Sequence, residues 1–244
     1  MVKVIIFCIK VIIAAAVALL FSSCGNGIFN GIKGTGNVQK EMRSISGKFT
    51  KISVSRGIEV IVEQGNDVFV EVEADQNLLK HITTKVENGT LMVSSDENIY
   101  SAEAEIVHVK VPVIDGLETT SGSNIKSKST LKGTNITIKS SSGSEIQSTL
   151  EYDAISSEST SGSSINLSGK ALKSNLVSSS GSTIDASELL SNEVIAEATS
   201  GSSTEVHPLL SLKGKASSGA SISYEGNPKT VSKEETSGGS VSGN

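Results

Sequence analysis

Apolar and polar residues alternate along much of the second half of this chain. The segments TNITIKS at 134–140 and NEVIAEA at 192–198 show the alternation clearly. Successive side chains of a β-strand point to opposite faces, so a period of two predicts strands with one buried face. We therefore expect this part of the chain to form β-structure.

A short motif of serine, glycine, serine and usually isoleucine two residues later recurs through the same region. A period of 18–21 residues separates its copies, which indicates a solenoid. Glycine reaches positive φ at little steric cost, so each motif is expected to be a corner where a strand ends and the chain turns. The motif glycines are Gly122, Gly143, Gly162, Gly181, Gly201, Gly219 and Gly238.

The third residue after each motif glycine is expected to lie in the core of this solenoid. It is isoleucine in five of the seven copies: Ile125, Ile146, Ile165, Ile184 and Ile222. We predict an all-β fold, a parallel β-helix with coils of about 19–20 residues, in which these side chains stack about 4.8 Å apart. The repeats should span 117–241 within a single domain at 45–241. The corner serines are expected to bond the local backbone, and a ligand-binding stripe of hydroxyls is the alternative.

Residues 45–116 lack the clean repeat but keep the β pattern. The segment FTKISVSRGIEVIVEQGNDVFVEVEA, at 49–74, alternates well. Asn88-Gly89 lies between two apolar runs and predicts a tight turn. The segment DQNLLKHI, at 75–82, is compatible with either a helix or a loop.

The N-terminus has the layout of an export signal. Lys3 and Lys10 accompany an apolar run at 11–21, which is short for a membrane span. Ser22 and Ser23 before Cys24 resemble a bacterial lipobox, in which the cysteine is lipidated (palmitate is an expected acyl group) and becomes the mature N-terminus. We predict a signal peptide at 1–23. A cleaved secretory signal, or an uncleaved anchor with an incidental cysteine, is the alternative.

Residues 24–44 are predicted to be the lipidated cysteine followed by a flexible tether, because glycine and asparagine dominate after Cys24. The chain has only one other cysteine, Cys8, inside the predicted signal, so a processed protein could form no internal disulfide. Loss of Lys3 and Lys10 with the signal takes the net charge from −5 to −7. An acidic surface is unsuited to nucleic acid, and we expect no nucleic-acid partner.

Enzymatic chemistry has little support in the residues. Glycoside hydrolysis needs paired carboxylates, yet from residue 116 onward the only aspartates are Asp153 and Asp185, which occupy different repeat positions. His81, His108 and His207 share no spacing typical of metal ligands. We therefore predict no catalytic residue, no metal and no cofactor. A polysaccharide-active enzyme is the least favoured alternative.

Three features together resemble the auto-transporter adhesin, head GIN domain family. They are FTKISVSRGIEVIVEQG at 49–65, LLKHITTKVENGTLMV at 78–93 and the serial SGSxI units, with Glu59 where the family more often has Asn or Asp. The resemblance covers about 45–241. It implies a right-handed parallel β-helix in a bacterial lipoprotein or secreted protein, and it supplies no ligand or catalytic residue to carry over.

The functional expectation follows from the signal, the rod and this resemblance. We expect an exported, non-enzymatic protein, anchored through lipid on Cys24 to the outer membrane of a Gram-negative bacterium. It would make adhesive or other surface contacts with a protein or glycan partner. A structural or assembly scaffold in the periplasm is the alternative, and the sequence leaves the oligomeric state open.

Overall fold

Strands of successive repeats lie side by side and parallel in the structure. The computed structural model describes residues 31–243, a nearly all-β molecule that forms a β-solenoid of about seven turns. The predicted fold class is therefore confirmed. The predictions for the signal segment 1–23, for Cys24 and for residues 25–30 lie outside the described residues.

Short strands make up the first half of the described chain. They are β1 (Ile32–Lys33), β2 (Val38–Met42), β3 (Lys51–Val54), β4 (Glu59–Gln64), β5 (Phe69–Asp75), β6 (Ile82–Glu87), β7 (Thr90–Ser95), β8 (Ile99–Ser101) and β9 (Glu105–Val111). The segment at 75–82, which fitted either a helix or a loop, contains a 3-10 helix at Leu79–His81. Within residues 31–243 no helix is long and apolar enough to cross a membrane.

The strands lengthen in the second half, where four of them have 15 or 16 residues and hydrogen-bond almost a whole coil to its neighbours. The strands are β10 (Gly116–Thr119), β11 (Asn124–Ser127), β12 (Leu131–Ser140), β13 (Glu145–Ser159), β14 (Ser164–Ser178), β15 (Thr183–Ala198), β16 (Ser203–Ser217), β17 (Ser221–Tyr224), β18 (Thr230–Thr236) and β19 (Ser240–Gly243).

The core is a set of side-chain ladders that run along the stack. The parallel register places the third residue after each corner glycine directly above its equivalent in the next coil. Every member of this ladder is buried. The ladder consists of Val60, Ile125, Ile146, Ile165, Ile184, Thr204, Ile222 and Val241. No single coil could bury these side chains alone, so the stack stabilises each coil.

Antiparallel strands close the N-terminal end of the stack. Strand β5 pairs antiparallel with β2 and β9, and β6 pairs antiparallel with β7. The turn between β6 and β7 is Asn88-Gly89, with φ of 49° and 76°. The tight turn predicted there is confirmed. These added strands cover the edges that the first parallel coil would otherwise expose.

The prediction of a flexible tether at 24–44 is wrong for part of that segment. Strand β2 lies within the 24–44 segment, yet its five residues pair in register with Glu71–Asp75 of β5. Strand β1 in turn pairs with β8. The glycine and asparagine content that suggested flexibility serves turns here, since Gly36 has a φ of 77° between β1 and β2.

Two charged side chains cap the C-terminal end. Lys233 and Glu235 occupy positions of β18 whose equivalents in β16, Gly214 and Ala216, face the core. The Lys233 Nζ donates to the Val241 carbonyl at 2.8 Å, and the Val241 N–H donates to Glu235 Oε1 at 2.6 Å. Inward-pointing charges of this kind discourage further strand pairing at a sheet edge.

Candidate contact surface

Each corner is a two-residue turn in which both residues have positive φ. At the corner between β13 and β14, Ser161 has a φ of 55° and Gly162 a φ of 69°. The Ser163 N–H donates to the Thr160 carbonyl at 3.3 Å and closes the turn. This is the type I′ arrangement. The sequence indicated the left-handed glycine but missed the left-handed serine before it.

The corners repeat in register along the stack. All seven predicted turn glycines have positive φ, and so does the serine before each of them. An eighth corner at Arg56-Gly57 has the same backbone and stacks on Ser121-Gly122 through the Gly57 N–H, which donates to the Ser121 carbonyl at 3.1 Å. The sequence already contained the pattern that predicts this corner, because the apolar residue Val60 lies three residues after Gly57. Val60 joins the core ladder.

A backbone ladder ties the corners together. The glycine N–H of each corner donates to the carbonyl of the left-handed serine in the next coil, at 3.1–3.2 Å. This ladder runs without a break from Gly57 to Gly219. The corners are therefore held at the interstrand spacing of about 4.8 Å.

Hydroxyl groups behind five of the eight corners bond the backbone inside the stack. The Ser163 Oγ lies 2.8 Å from the Thr160 carbonyl oxygen and 2.7 Å from that of Ser140, and it accepts the Thr160 N–H at 3.1 Å. The Thr204 hydroxyl, which replaces isoleucine in the core ladder, lies 2.7 Å from the Ser178 Oγ. These inner hydroxyls serve the corner structure, as the sequence indicated.

A second row of hydroxyls faces solvent. The left-handed serines are all exposed, one to each coil, in a continuous row along the stack. We call this row the hydroxyl ridge; it consists of Ser121, Ser142, Ser161, Ser180, Ser200, Ser218 and Ser237. Beside it, hydroxyls of neighbouring coils bond to one another, as Ser141 does to Thr120 and Ser179 to Thr160, both at 3.1 Å. The ridge is an ordered polar surface with fixed spacing.

A polar groove of about 270 Å³ crosses the coils after the corner. Gln147, Asn166 and Asp185 line it in register. The register of β15 shifts here relative to β14, and the Asp185 carboxylate accepts the N–H and hydroxyl of Ser187 at 3.0 and 2.6 Å. The groove can offer amides, carboxylates and hydroxyls to a polar ligand.

Charged side chains cover the face of the N-terminal strands. The Glu73 carboxylate lies 2.9 Å from His108 Nε2 and 3.0 Å from Lys40 Nζ, and these bonds lower its pKa below the ordinary value. Lys110 and Lys128 likewise hold the pKa of Glu63 down, at 3.1 and 3.2 Å. The charges of this face are paired within the molecule.

Two carboxyl groups near the N-terminal end lack a cation partner among the described residues. Burial would raise the pKa of Asp75, but N–H groups of Glu103, Gly36 and Ala104 donate to its carboxylate and lower the pKa. Burial, and then the charge of Asp75, raise the pKa of half-buried Glu105 to about 7. Asp75 thereby joins the segment before β2 to the turn before β9.

The residues considered for chemistry remain apart. His81 lies 2.9 Å from Asp96, His108 bonds Glu73, and His207 Nδ1 lies 3.1 Å from the Ser187 carbonyl oxygen. Asp153 is exposed on β13. Within residues 31–243 no group of three or more His, Cys, Asp or Glu side chains could hold a metal ion. The predicted lipidation site, Cys24, lies outside these residues.

Comparison with known proteins identifies relatives of this fold. A family model described as "Putative auto-transporter adhesin, head GIN domain" matches residues 48–228. A "putative adhesin" from Bacteroides fragilis is 18% identical with a TM-score of 0.82, over 88% of this chain and 100% of that chain. No curated protein matches the chain.

Two further solved structures from Parabacteroides are similar. A "putative lipid binding protein" from Parabacteroides distasonis is 17% identical, with a TM-score of 0.71, over 87% of this chain and 99% of that one. A "putative adhesin" from Parabacteroides merdae is 20% identical, with a TM-score of 0.68, over 88% and 99% of the two chains. At such identities the similarity establishes a shared fold, and function depends on the surface of each protein.

Proposed function

Because this chain belongs to the auto-transporter adhesin, head GIN domain family, we propose that it is an exported, lipid-anchored and non-enzymatic protein that makes adhesive contacts at the cell envelope. The observation that carries the proposal is the hydroxyl ridge. Seven exposed serines stand on a rigid stack, each held by the backbone ladder of its corner.

The ridge suits weak contact at many points. Hydroxyl groups both donate and accept hydrogen bonds, so they can pair with sugar hydroxyls or with protein backbone. A row at a spacing of about 4.8 Å presents the same group repeatedly. Several weak bonds made together raise the total affinity well above that of one bond. The partner class is therefore a polar repetitive surface, a glycan or an extended protein segment.

The anchor in this proposal is Cys24. The predicted signal ends at small residues directly before Cys24, as a lipobox would. Only six residues, 25–30, separate that cysteine from the first described residue, Gly31, which lies next to β1. The rod would therefore stand close to the membrane at its N-terminal end and extend away from it.

The anchor is tested by replacing Cys24 with Ala. We expect the unmodified protein to incorporate a labelled fatty acid and to sediment with membranes, and C24A to lose both properties. A Cys8→Ser variant is the matched control, since Cys8 belongs to the predicted cleaved segment. Equal membrane association of C24A and the unmodified protein would contradict the anchor.

The contact surface is tested separately with Asp at Ser161, Ser180 and Ser200. Asp tolerates the left-handed conformation, so the corners should persist while three like charges disrupt the ridge. We expect cells that display this triple variant to be retained on mucin-coated glass at least several-fold less than cells with the unmodified protein. The control carries Asp at the exposed serines Ser129, Ser156 and Ser232, which lie off the ridge. An equal loss of cell retention in both variants would indicate an effect of net charge and contradict a role for the ridge.

A further inference from the structure

Three leucines project from the solenoid a few residues further along the coils than the polar groove. Leu172, Leu190 and Leu209 are 52%, 36% and 43% exposed, and they line one groove of about 570 Å³. We call these three residues the leucine patch. They belong to successive strands β14, β15 and β16, so the patch crosses three coils.

Exposed aliphatic side chains are concentrated in this region. From β10 to the end of the described chain, every large hydrophobic residue with high exposure lies between 172 and 210; the remaining two are Ile195 and Leu210. Exposed side chains at and next to the corners carry hydroxyl, amide and charged groups instead. Clustered apolar surface on a polar protein marks a site that another surface covers.

The charges around the leucine patch are balanced in sign. Lys132 pairs with Glu151 at 2.8 Å, and the same groove contains Lys170 and Asp153. Neither Lys170 nor Asp153 forms a salt bridge within residues 31–243, although the charge of Lys170, after that of Lys132, helps to lower the pKa of Glu151. A rim with two cations and two anions offers no net attraction to an anionic membrane, whereas it suits a surface of mixed charge.

Lys170 and Asp153 lie beside the leucines. Lys170 is in register with Leu190 on the adjacent coil. Asp153 lies between Tyr152 and Ala154, which pair with Ala171 and Lys173, so it sits beside Leu172. Residues i and j exchange roles across a two-fold axis, so a contact between Lys170 of one copy and Asp153 of the other would form twice in a symmetric dimer.

We propose that the leucine patch binds a second copy of this chain as a symmetric dimer. Leu172, Leu190 and Leu209 form its centre, and Lys170 of each copy faces Asp153 of the partner subunit. The hydroxyl ridge stays free in this arrangement, because it lies on a different side of the coils. Dimerisation would double the number of ridges presented together and so raise avidity.

The first test measures the mass of the full-length chain by sedimentation equilibrium in density-matched detergent. We expect a dimer whose dissociation constant rises at least about tenfold in Leu190→Ser and again in Leu209→Ser, as truncation of a central interface residue does. The matched control is Val68→Ser, because Val68 is 60% exposed and lies far from the patch, between β4 and β5. A monomer at all concentrations, or equal weakening by V68S, would overturn the proposal.

The second test uses the charges and does not depend on the leucines. Lys170→Glu and Asp153→Lys should each weaken the dimer, because each places like charges opposite one another. The double variant K170E/D153K should recover most of the unmodified affinity. Absence of recovery, with unchanged melting temperatures for all variants, would overturn the paired arrangement. Both tests are independent of Cys24 and of the ridge, so the dimer can fail while the proposed function stands.

Discussion

At the scale of single residues, positive φ has two different costs in this molecule. Gly162 has a φ of 69°, and a Cβ placed on it would meet no atom within 4 Å. Gly169 has a φ of 110°, and a Cβ there would collide with the backbone carbonyl of Leu150 in the adjacent coil. The first glycine is needed for its backbone conformation, and the second also for the close approach of two strands.

We predict that Gly162→Ala lowers the free energy of unfolding by about 1–2 kcal/mol, the ordinary cost of a left-handed L-residue. Gly169→Ala should lower it by more, because the strands must separate to admit the methyl group. Urea denaturation of both variants measures the difference. The control is Ser161→Gly, which relieves the left-handed serine and should not destabilise. Equal losses in G162A and G169A would contradict the assignment of the Gly169 contact.

Glu105 gives the stability of the protein a pH dependence of known sign. Its pKa is about 7 in the folded protein against an ordinary 4.5, so between these values the folded state binds more protons at this site than the unfolded state does. Stability from this residue is therefore complete below about pH 4.5 and is lost as the pH rises through 7.

Glu105→Gln should remove that loss, since glutamine has similar shape and no charge. We expect the variant to melt a few degrees higher than the unmodified protein at pH 8, and at the same temperature at pH 4. Thermal melts across this range test the prediction. A difference in melting temperature that stays constant with pH would show that burial and Asp75 do not raise the pKa of Glu105.

At the scale of the element, five of the eight corners use the serine that follows their glycine: Ser123, Ser144, Ser163, Ser182 and Ser202. We predict that Ser163→Ala costs about 0.5–1.5 kcal/mol, the net value of ordinary hydrogen bonds, because the Ser163 Oγ bonds are lost while the Thr160 N–H and both carbonyl groups keep their backbone partners. The equivalent residue of a later coil is Ala220, whose N–H still closes the turn at 3.2 Å. The reverse change Ala220→Ser is thus the matched control and should have little effect. Chemical denaturation measures the free energy of unfolding of both variants. An unchanged value in S163A would show that these hydroxyls do not stabilise the corners.

The charged cap of the last coil is the second element with a testable role. Glu235→Ala removes the acceptor of the Val241 N–H, a charge-assisted bond, so that amide should exchange with solvent at least about tenfold faster. Glu234→Ala is the control, since Glu234 points outward and pairs with Lys215 on the surface at 3.1 Å. Hydrogen exchange of β19 measures both. Equal protection in E234A and E235A would contradict the cap.

At the scale of the whole molecule, the sequence predicted the repeating half of the fold well because one local rule repeats there. A glycine corner followed three residues later by an isoleucine determines both the turn and the buried face. The N-terminal half was harder to predict because its strands pair over long distances. Nothing local to Val38–Met42 indicates that it pairs with β5, about 30 residues away.

The surface was harder to predict than the fold, because it also depends on residues that are distant in the sequence. The hydroxyl ridge follows from the repeat, but the leucine patch depends on stacking Leu172, Leu190 and Leu209 from three coils. Each leucine alone is an ordinary exposed side chain in the sequence. Only the register that brings the three coils together makes them one surface.

The central claim is that the hydroxyl ridge faces the outside of the cell on an anchored rod. A Ser180→Cys variant on intact cells, treated with a membrane-impermeant maleimide, tests this most directly, because Ser180 is exposed on the ridge. Ser178→Cys is the control, since that side chain is fully buried two residues away. We predict labelling of S180C on intact cells and none of S178C. Labelling of S180C only after the envelope is opened would contradict surface display and favour a scaffold inside the envelope.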